Sequence, residues 1–347
     1  MLGSAVGASL GCMAQGWGYE QPKIAATVKT LKLLSWERFI DPDLLDKFEK
    51  TRRCKVELTT FKTNEELFTR LNAGLSQYDL CTPTSYMTAL LEAEGLITAL
   101  NQSILSFSQN DAVIGERVLG KALSSHAISF SWSASGIAYH AKNNPQPVRS
   151  WHSLGQPAHR NRCSLLDDMR ELLGAALVSR GKSINSNNSA DLKVAVDTAS
   201  EWVKNARVLG SGGHTFALIA GEDLIAHSYN GDVWIAGRAD PALRFFIPEE
   251  GGLLSVDQLC LCSGGSEAEL AHEFINFLCD PGHARQNMLW SGYASLNPKV
   301  EPLWETQNIN HDPGQKELVM RSEVLSTVDQ PKWEAAWQNL IEITGHE

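Results

Sequence analysis

No unbroken apolar stretch of the 347-residue sequence reaches the ~18 residues that a membrane-spanning helix needs, so it offers no helical span. Cations are in short supply: 30 Lys and Arg stand against 40 Asp and Glu, a net charge of −10. That balance argues against a nucleic-acid or anionic-membrane surface and favours cationic ligands. The seven cysteines (Cys12, Cys54, Cys81, Cys163, Cys260, Cys262 and Cys279) form no CxxC pair and no Cys/His spacing of the zinc type. Cys260 and Cys262 are the one close pair, and on a strand they share a face, which suits an apolar packed pair better than a ligand set.

Catalytic motifs fail in the same way. Arg180-Gly181-Lys182-Ser183 ends like a phosphate loop, but Ala176 stands where its first glycine belongs and a helix precedes it instead of a strand. His272-Glu273 opens like a zinc-protease helix, yet position 276 is Asn276. Ser211-Gly212-Gly213-His214 reads as a turn, and no Gly-x-Ser-x-Gly elbow exists. The ten histidines include no liganding pair at i, i+4. No catalytic residue, cofactor or metal is expected, and no solenoid repeat is present.

What is present is ordinary globular composition, 43% apolar and 20% charged, at a length that suggests two domains of ~150 residues each. Residues 1–22 stand apart: a small, uncharged run leads to Cys12, like the end of a bacterial lipoprotein signal. The absence of a preceding basic segment and the presence of Leu10 are departures from that pattern. Lipidation at Cys12 is the expectation, a plain tail with a chance cysteine the alternative.

From Leu31 the pattern alternates. Leu31–Ser35, Cys54–Thr60 and Tyr78–Thr82 read as strands. Asp41-Pro42 starts a helix with Leu44, Leu45 and Phe48 on one face, and Thr63 with Glu66 caps another bearing Leu67, Leu71 and Leu75. A third helix ends near Gly95. The second half repeats the alternation, with strands at Ser164–Asp167, Ile225–Ser228 and Arg244–Ile247, helices at Glu171–Ser179 and Ala190–Ala206, and a capping box at Ser266 and Glu269. Strands alternating with helices predict an α/β fold with mainly parallel sheet.

Aromatics and carboxylates cluster where strands end: Trp36-Glu37-Arg38-Phe39, Thr84-Ser85-Tyr86, Asp168 with Glu171, Tyr229, Asp257 and Tyr293. Ligands of open α/β sheets bind outside the carboxyl ends of strands, so these side chains can converge on one cleft. Carboxylates accept charge-assisted hydrogen bonds from an alkyl ammonium, and ring faces hold its methylenes. Asp168 and Glu171 share one face of a helix start; they equally suit a plain complement to the helix dipole.

Six segments, in order, resemble the spermidine/putrescine-binding proteins of bacterial ABC importers, over residues 31–340. They are the strand with Trp36 and Phe39, YDLCTPTSYM (78–87), LLDDMRE (165–171), YNGD (229–232), PEEGGLLSVD (248–257) and SGYASLN (291–297). The resemblance implies a type II periplasmic-binding-protein fold, two lobes of mainly parallel sheet flanked by helices. It places the first lobe at 23–134 with 250–305 and the second at 135–249 with 306–347, crossing near 132–136 and 248–253. It implies an aromatic wall from Trp36 and Phe39, first-lobe contacts from Thr84, Ser85 and Tyr86, and amine contacts from Asp168, Glu171 and Asp257. Tyr229 and Tyr293 would complete the cleft. The family's common Tyr is Phe39 here, Ser255 replaces an expected aromatic, Glu37 adds a carboxylate, and Glu323 stands near a family Gln.

The expected function is therefore that of a solute-binding protein, not an enzyme, which captures spermidine or putrescine and hands it to a membrane permease. Its expected place is the periplasm, as a monomer, with Cys12 as tether. Another organic cation or an amino acid on the same fold is the alternative.

Overall fold

The structure, a computed structural model, describes residues 28–74, 77–106, 125–301, 318 and 321–345. The expectations for residues 1–22, Cys12 and Leu75 lie outside the described residues.

The first stretch runs β1 (Thr30–Trp36), α1 (Pro42–Arg52), β2 (Lys55–Phe61), α2 (Asn64–Asn72), β3 (Leu80–Cys81), α3 (Ser85–Ala93), β4 (Ile97–Thr98) and β5 (Ala127–His140). The second runs β6 (Cys163–Leu165), α4 (Met169–Ser179), α5 (Ser189–Asn205), β7 (Val208–Leu209), α6 (His214–Ala220), β8 (Ile225–Tyr229), α7 (Asn230–Gly237) and β9 (Leu243–Phe246). The chain then returns through β10 (Leu253–Cys262), α8 (Ala268–Leu278), α9 (Pro281–Ser291), β11 (Ala294–Ser295), β12 (Glu323–Val324) and α10 (Gln330–Thr344).

Local chemistry explains the starts. The Asp41 carboxylate accepts from the Asp43 amide at 3.0 Å ahead of Pro42, and Leu44 and Phe48 bury the inner face of α1. Thr63 Oγ1 accepts from the Glu66 amide at 3.1 Å, while Glu66 reaches back to the Lys62 amide, one residue beyond the usual box. The box expected at Ser266 and Glu269 does not form. Glu267 occupies the N-cap of α8 with no side-chain cap. Both the Ser266 and Glu267 amides donate instead to Asp79 Oδ1 at 2.8 Å. A buried carboxylate from across the sheet has replaced the local cap.

Two parallel triplets, β2-β1-β3 and β8-β6-β7, flank a long antiparallel pair, β10 and β5, in the order β2-β1-β3-β10-β5-β8-β6-β7. The mainly parallel sheet expected from the sequence thus describes the wings, and the centre is antiparallel. β5 pairs with β11 at Ser131 and Trp132 and with β8 from Ser135 onward. Between them Ser133 and Ala134 pair only with Ser255 and Leu254 of β10. Both central strands are buried along their whole length. Cys81, Cys260 and Cys262 are buried in this sheet, and contact with Cys260 and Cys262, then burial, pushes the Cys81 thiol up. α10 packs on α5, with Trp333 fully buried and its Nε1 donating to the Ser186 carbonyl at 3.1 Å.

Candidate cleft between the lobes

Five element ends meet at the crossing. β1 delivers Trp36, whose ring lies 4.4 Å from that of Phe61. The next turn places Arg38 in the left-handed region (φ 56°), which swings Phe39 back into the first-lobe core, edge-on to Phe130 at 5.9 Å. Phe39 therefore packs in the core, while Glu37 is exposed on the turn itself.

Thr84 precedes α3 as its N-cap but leaves the helix amides unbonded by its side chain. Its hydroxyl donates to Asp257 Oδ1 at 3.0 Å, and an isolated bridge joins the two backbones. Asn64, 3% exposed, accounts for this diversion: its Oδ1 accepts from the Thr84 amide at 3.1 Å. Its Nδ2 donates to Thr84 Oγ1 and to the Tyr86 hydroxyl at 3.2 and 2.9 Å. Ser85, half-buried, opens the helix beside them.

From the second lobe comes the N-terminus of α4. Asp168 caps it, with Oδ1 accepting from the Arg170 and Glu171 amides at 2.8 and 3.0 Å. The helix-complement reading of this carboxylate is thus realised, and its other oxygen remains available. Glu171, 2% exposed, accepts from Ser255 Oγ at 3.3 Å through Oε1, while its Oε2 has no hydrogen-bond partner. The Trp36 Nε1 is buried as well, near enough to Asp257 to favour its charged form but short of an ordinary hydrogen-bond geometry. Tyr229 ends β8. Tyr293 lies so close to Gly231 at the start of α7 that a Cβ there would collide with its ring.

Burial pushes Asp257 up to about 7, against the Thr84 and Trp36 donors that favour its charged form. Burial and then the Asp168 charge push Glu171 up to about 8, opposed by Ser135, Ser255 and Arg170. Asp168 is raised by burial, against its two amide bonds. The phenols of Tyr86, Tyr229 and Tyr293 are raised by burial and by the carboxylates around them, so they offer ring faces and neutral hydroxyls. Arg170 favours the charged forms of Asp168 and Glu171 but is hydrogen-bonded to neither carboxylate through its guanidinium. Its guanidinium lies 4.7 Å over the Tyr86 ring and 4.5 Å over that of Trp333, and donates to the Ser326 carbonyl and Asn185 Oδ1.

The structure thus brings Trp36, Thr84, Tyr86, Asp168, Glu171, Tyr229, Asp257 and Tyr293 together, with Ser85 at their edge. Glu323 instead bonds outside this group: its Oε2 accepts from Ser183, in the loop after α4, at 2.5 Å. Asn64, Ser135 and Arg170 escaped the sequence reading. An Asn at a helix start reads as a cap, and nothing local signals that its amide holds a different helix.

The description "bacterial extracellular solute-binding protein" matches residues 43–316 as a family. A spermidine/putrescine-binding periplasmic protein of Salmonella typhimurium is 26% identical over 286 residues, 81% of each chain. The putrescine-binding periplasmic protein SpuD of Pseudomonas aeruginosa is 28% identical over 309 residues, 84% of each chain. Among solved structures, the TpPotD lipoprotein of Treponema pallidum superposes with a TM-score of 0.79 at 23% identity, covering 90% of this chain and 99% of that one.

Proposed function

The chain belongs to the bacterial extracellular solute-binding protein family, and from that membership we propose that it captures a polyamine, spermidine or putrescine, and delivers it to the permease of an ABC importer. One observation carries the ligand class: Glu171 and Asp257 are buried, their pKa values are raised, and no cationic side chain is hydrogen-bonded to either among the described residues. Buried charge without a partner costs several kcal/mol, and an ammonium offers both charge and donors. Trp36, Tyr86, Tyr229 and Tyr293 add ring faces for the methylenes. Glu37 and Phe39 have no place in this reading as direct contacts, and Glu323 none.

The lobes divide at the crossing, with 23–134 and 250–305 in one and 135–249 and 306–347 in the other. Support comes from the switch of β5 partners at Ser133–Ala134 and from α10 packing on α5. Closure of the lobes around the ligand excludes water, without which ammonium–carboxylate pairs gain little. The protein works outside the cytoplasm as a monomer. The run before Cys12 supports a lipid tether there, which mass spectrometry of the mature protein checks.

The test is calorimetric titration of the refolded full chain, stripped of carried ligand, with putrescine, spermidine and spermine. Sub-micromolar one-to-one binding of any of them supports the reading; no heat with all three rejects it.

A further inference from the structure

β5 carries serine at three alternate positions, Ser131, Ser133 and Ser135, so their side chains share one face of the central sheet. The register sets Ser131 opposite Asp257 and Ser133 opposite Ser255 of β10, and directly opposed residues of an antiparallel pair lie on the same side. The other face is apolar: Trp132 and Ala134 lie in one core cluster with Leu254 and Val256. On the serine face the strand turns apolar at Ile137, in the cluster that also holds Leu253. Glu171 is fixed to this face by Ser255 Oγ, which donates to its Oε1 at 3.3 Å, and Tyr229 is the β8 partner of Ser135. Four hydroxyls, three from β5 and one from β10, thus floor the cleft beside Asp257 and Glu171.

A need for small residues does not account for these serines, because Ala134 meets that need on the same strand without a polar group. Ser131 is 4% exposed, and neither its Oγ nor that of Ser135 has a hydrogen-bond partner. Buried hydroxyls are normally paired, and leaving one unpaired costs stability. A second group points to a ligand on this floor. Glu171, 2% exposed, is held there through Oε1 while its Oε2 is unpartnered. Arg170 beside it does not fill that place: its Nε is unpartnered too, and its terminal nitrogens donate to Ser326 and Asn185. A serine oxygen accepts through two lone pairs, and one that donates its proton to a carboxylate, as Ser255 does, keeps them for an N–H donor. A methylene laid on the floor leaves these oxygens unpaired. A secondary ammonium brings two N–H donors, with an alkyl arm on either side to lie against the ring faces.

We propose that Ser131 and Ser133, with Ser255, form a hydroxyl floor that accepts hydrogen bonds from an internal secondary ammonium, so that this cleft selects an amine with a nitrogen inside its chain over a plain diamine of the same length. The inference rests on the polyamine reading above. It makes two residues of β5 determinants of selectivity, and Ser255, where an aromatic was expected, adds a third hydroxyl in place of a ring.

The test compares the full-length wild type with the double variant Ser131→Ala, Ser133→Ala, each titrated with spermidine and with octamethylenediamine, in which a methylene replaces the inner nitrogen of spermidine at the same chain length. Wild type is expected to bind spermidine at least about tenfold more tightly. The variant is expected to lose about fivefold or more for spermidine and less than about twofold for octamethylenediamine, because only spermidine has N–H donors for the floor. Equal weakening towards both ligands, or no weakening, overturns the proposal while leaving the polyamine reading intact. Wild type that binds putrescine but not spermidine does the same, and wild type that binds no polyamine overturns both. Melting temperatures without ligand check that the variant is folded; if it is not, Ser131→Ala and Ser133→Ala are put through the same comparison singly.

Discussion

Thr84 donates its hydroxyl to Asp257 Oδ1 at 3.0 Å, joining residues 173 apart in the sequence. The bond ties the first turn of α3 to the strand that crosses between the lobes. It engages one oxygen of a buried carboxylate. A Thr at an N-cap normally bonds its own helix, and here Asn64 positions it to do otherwise.

Asp257→Asn keeps the shape and the Thr84 contact but removes the charge. Polyamine affinity is expected to fall by at least ~1.5 kcal/mol, the scale of a lost charge-assisted bond. Calorimetry that finds wild-type affinity in this variant removes Asp257 from the site.

The raised carboxylates predict a pH dependence with a definite sign. Asp257 at about 7 and Glu171 at about 8 keep protons in the folded, ligand-free protein that the unfolded chain gives up at ordinary carboxylate values of 3.8 and 4.5. Where the folded state binds more protons, stability falls as pH rises. These two groups therefore stabilise fully below about pH 4 and lose that contribution progressively until about pH 8. A polyamine favours the charged forms, so it releases protons on binding and raises the melting temperature more at about pH 7.5 than at about pH 5. Equal shifts at the two pH values contradict the assignment, and Glu171→Gln is expected to flatten the difference.

Gly231 has no room for a side chain, because a Cβ would collide with the Tyr293 ring. Gly231→Ala is expected to hold the lobes apart at this edge while sparing each lobe's core. Polyamine affinity drops by about tenfold or more, as the binding-competent fraction falls. Small-angle scattering is expected to show ligand-induced compaction in wild type and a reduced change in the variant; an unaltered response refutes the role of this contact in closure.

Asp79 is 2% exposed and accepts from the Lys32, Ser266 and Glu267 amides at 2.7, 2.8 and 2.8 Å. Asp79→Ala leaves three amides without their acceptor and is expected to cost roughly 3 kcal/mol of stability. Urea unfolding measures it. Because Asp79 joins β1, β3 and the start of α8, away from the cleft, the affinity of the folded fraction for polyamine should stay as in wild type.

Alternation of strand and helix, the Asp41 and Thr63 caps and the scarcity of cations are local or compositional facts, and the sequence by itself determined them. Repeating apolar spacing names an element because burial of one face stabilises it wherever the chain goes. The order of aromatic and acidic segments also placed Trp36, Thr84, Asp168 and Glu171 at element ends, where α/β sheets bind ligands, whereas Asp257 lies inside β10. Tertiary structure decided the rest. It turned Phe39 into the core through the left-handed Arg38, sent Glu323 to Ser183, and gave the α8 amides to Asp79 in place of Ser266. It also recruited Asn64 and Ser255, whose roles depend on partners from distant segments. Hydrogen bonds and charge interactions act over a few ångströms of space, and separation along the chain does not reveal which groups will come within that range.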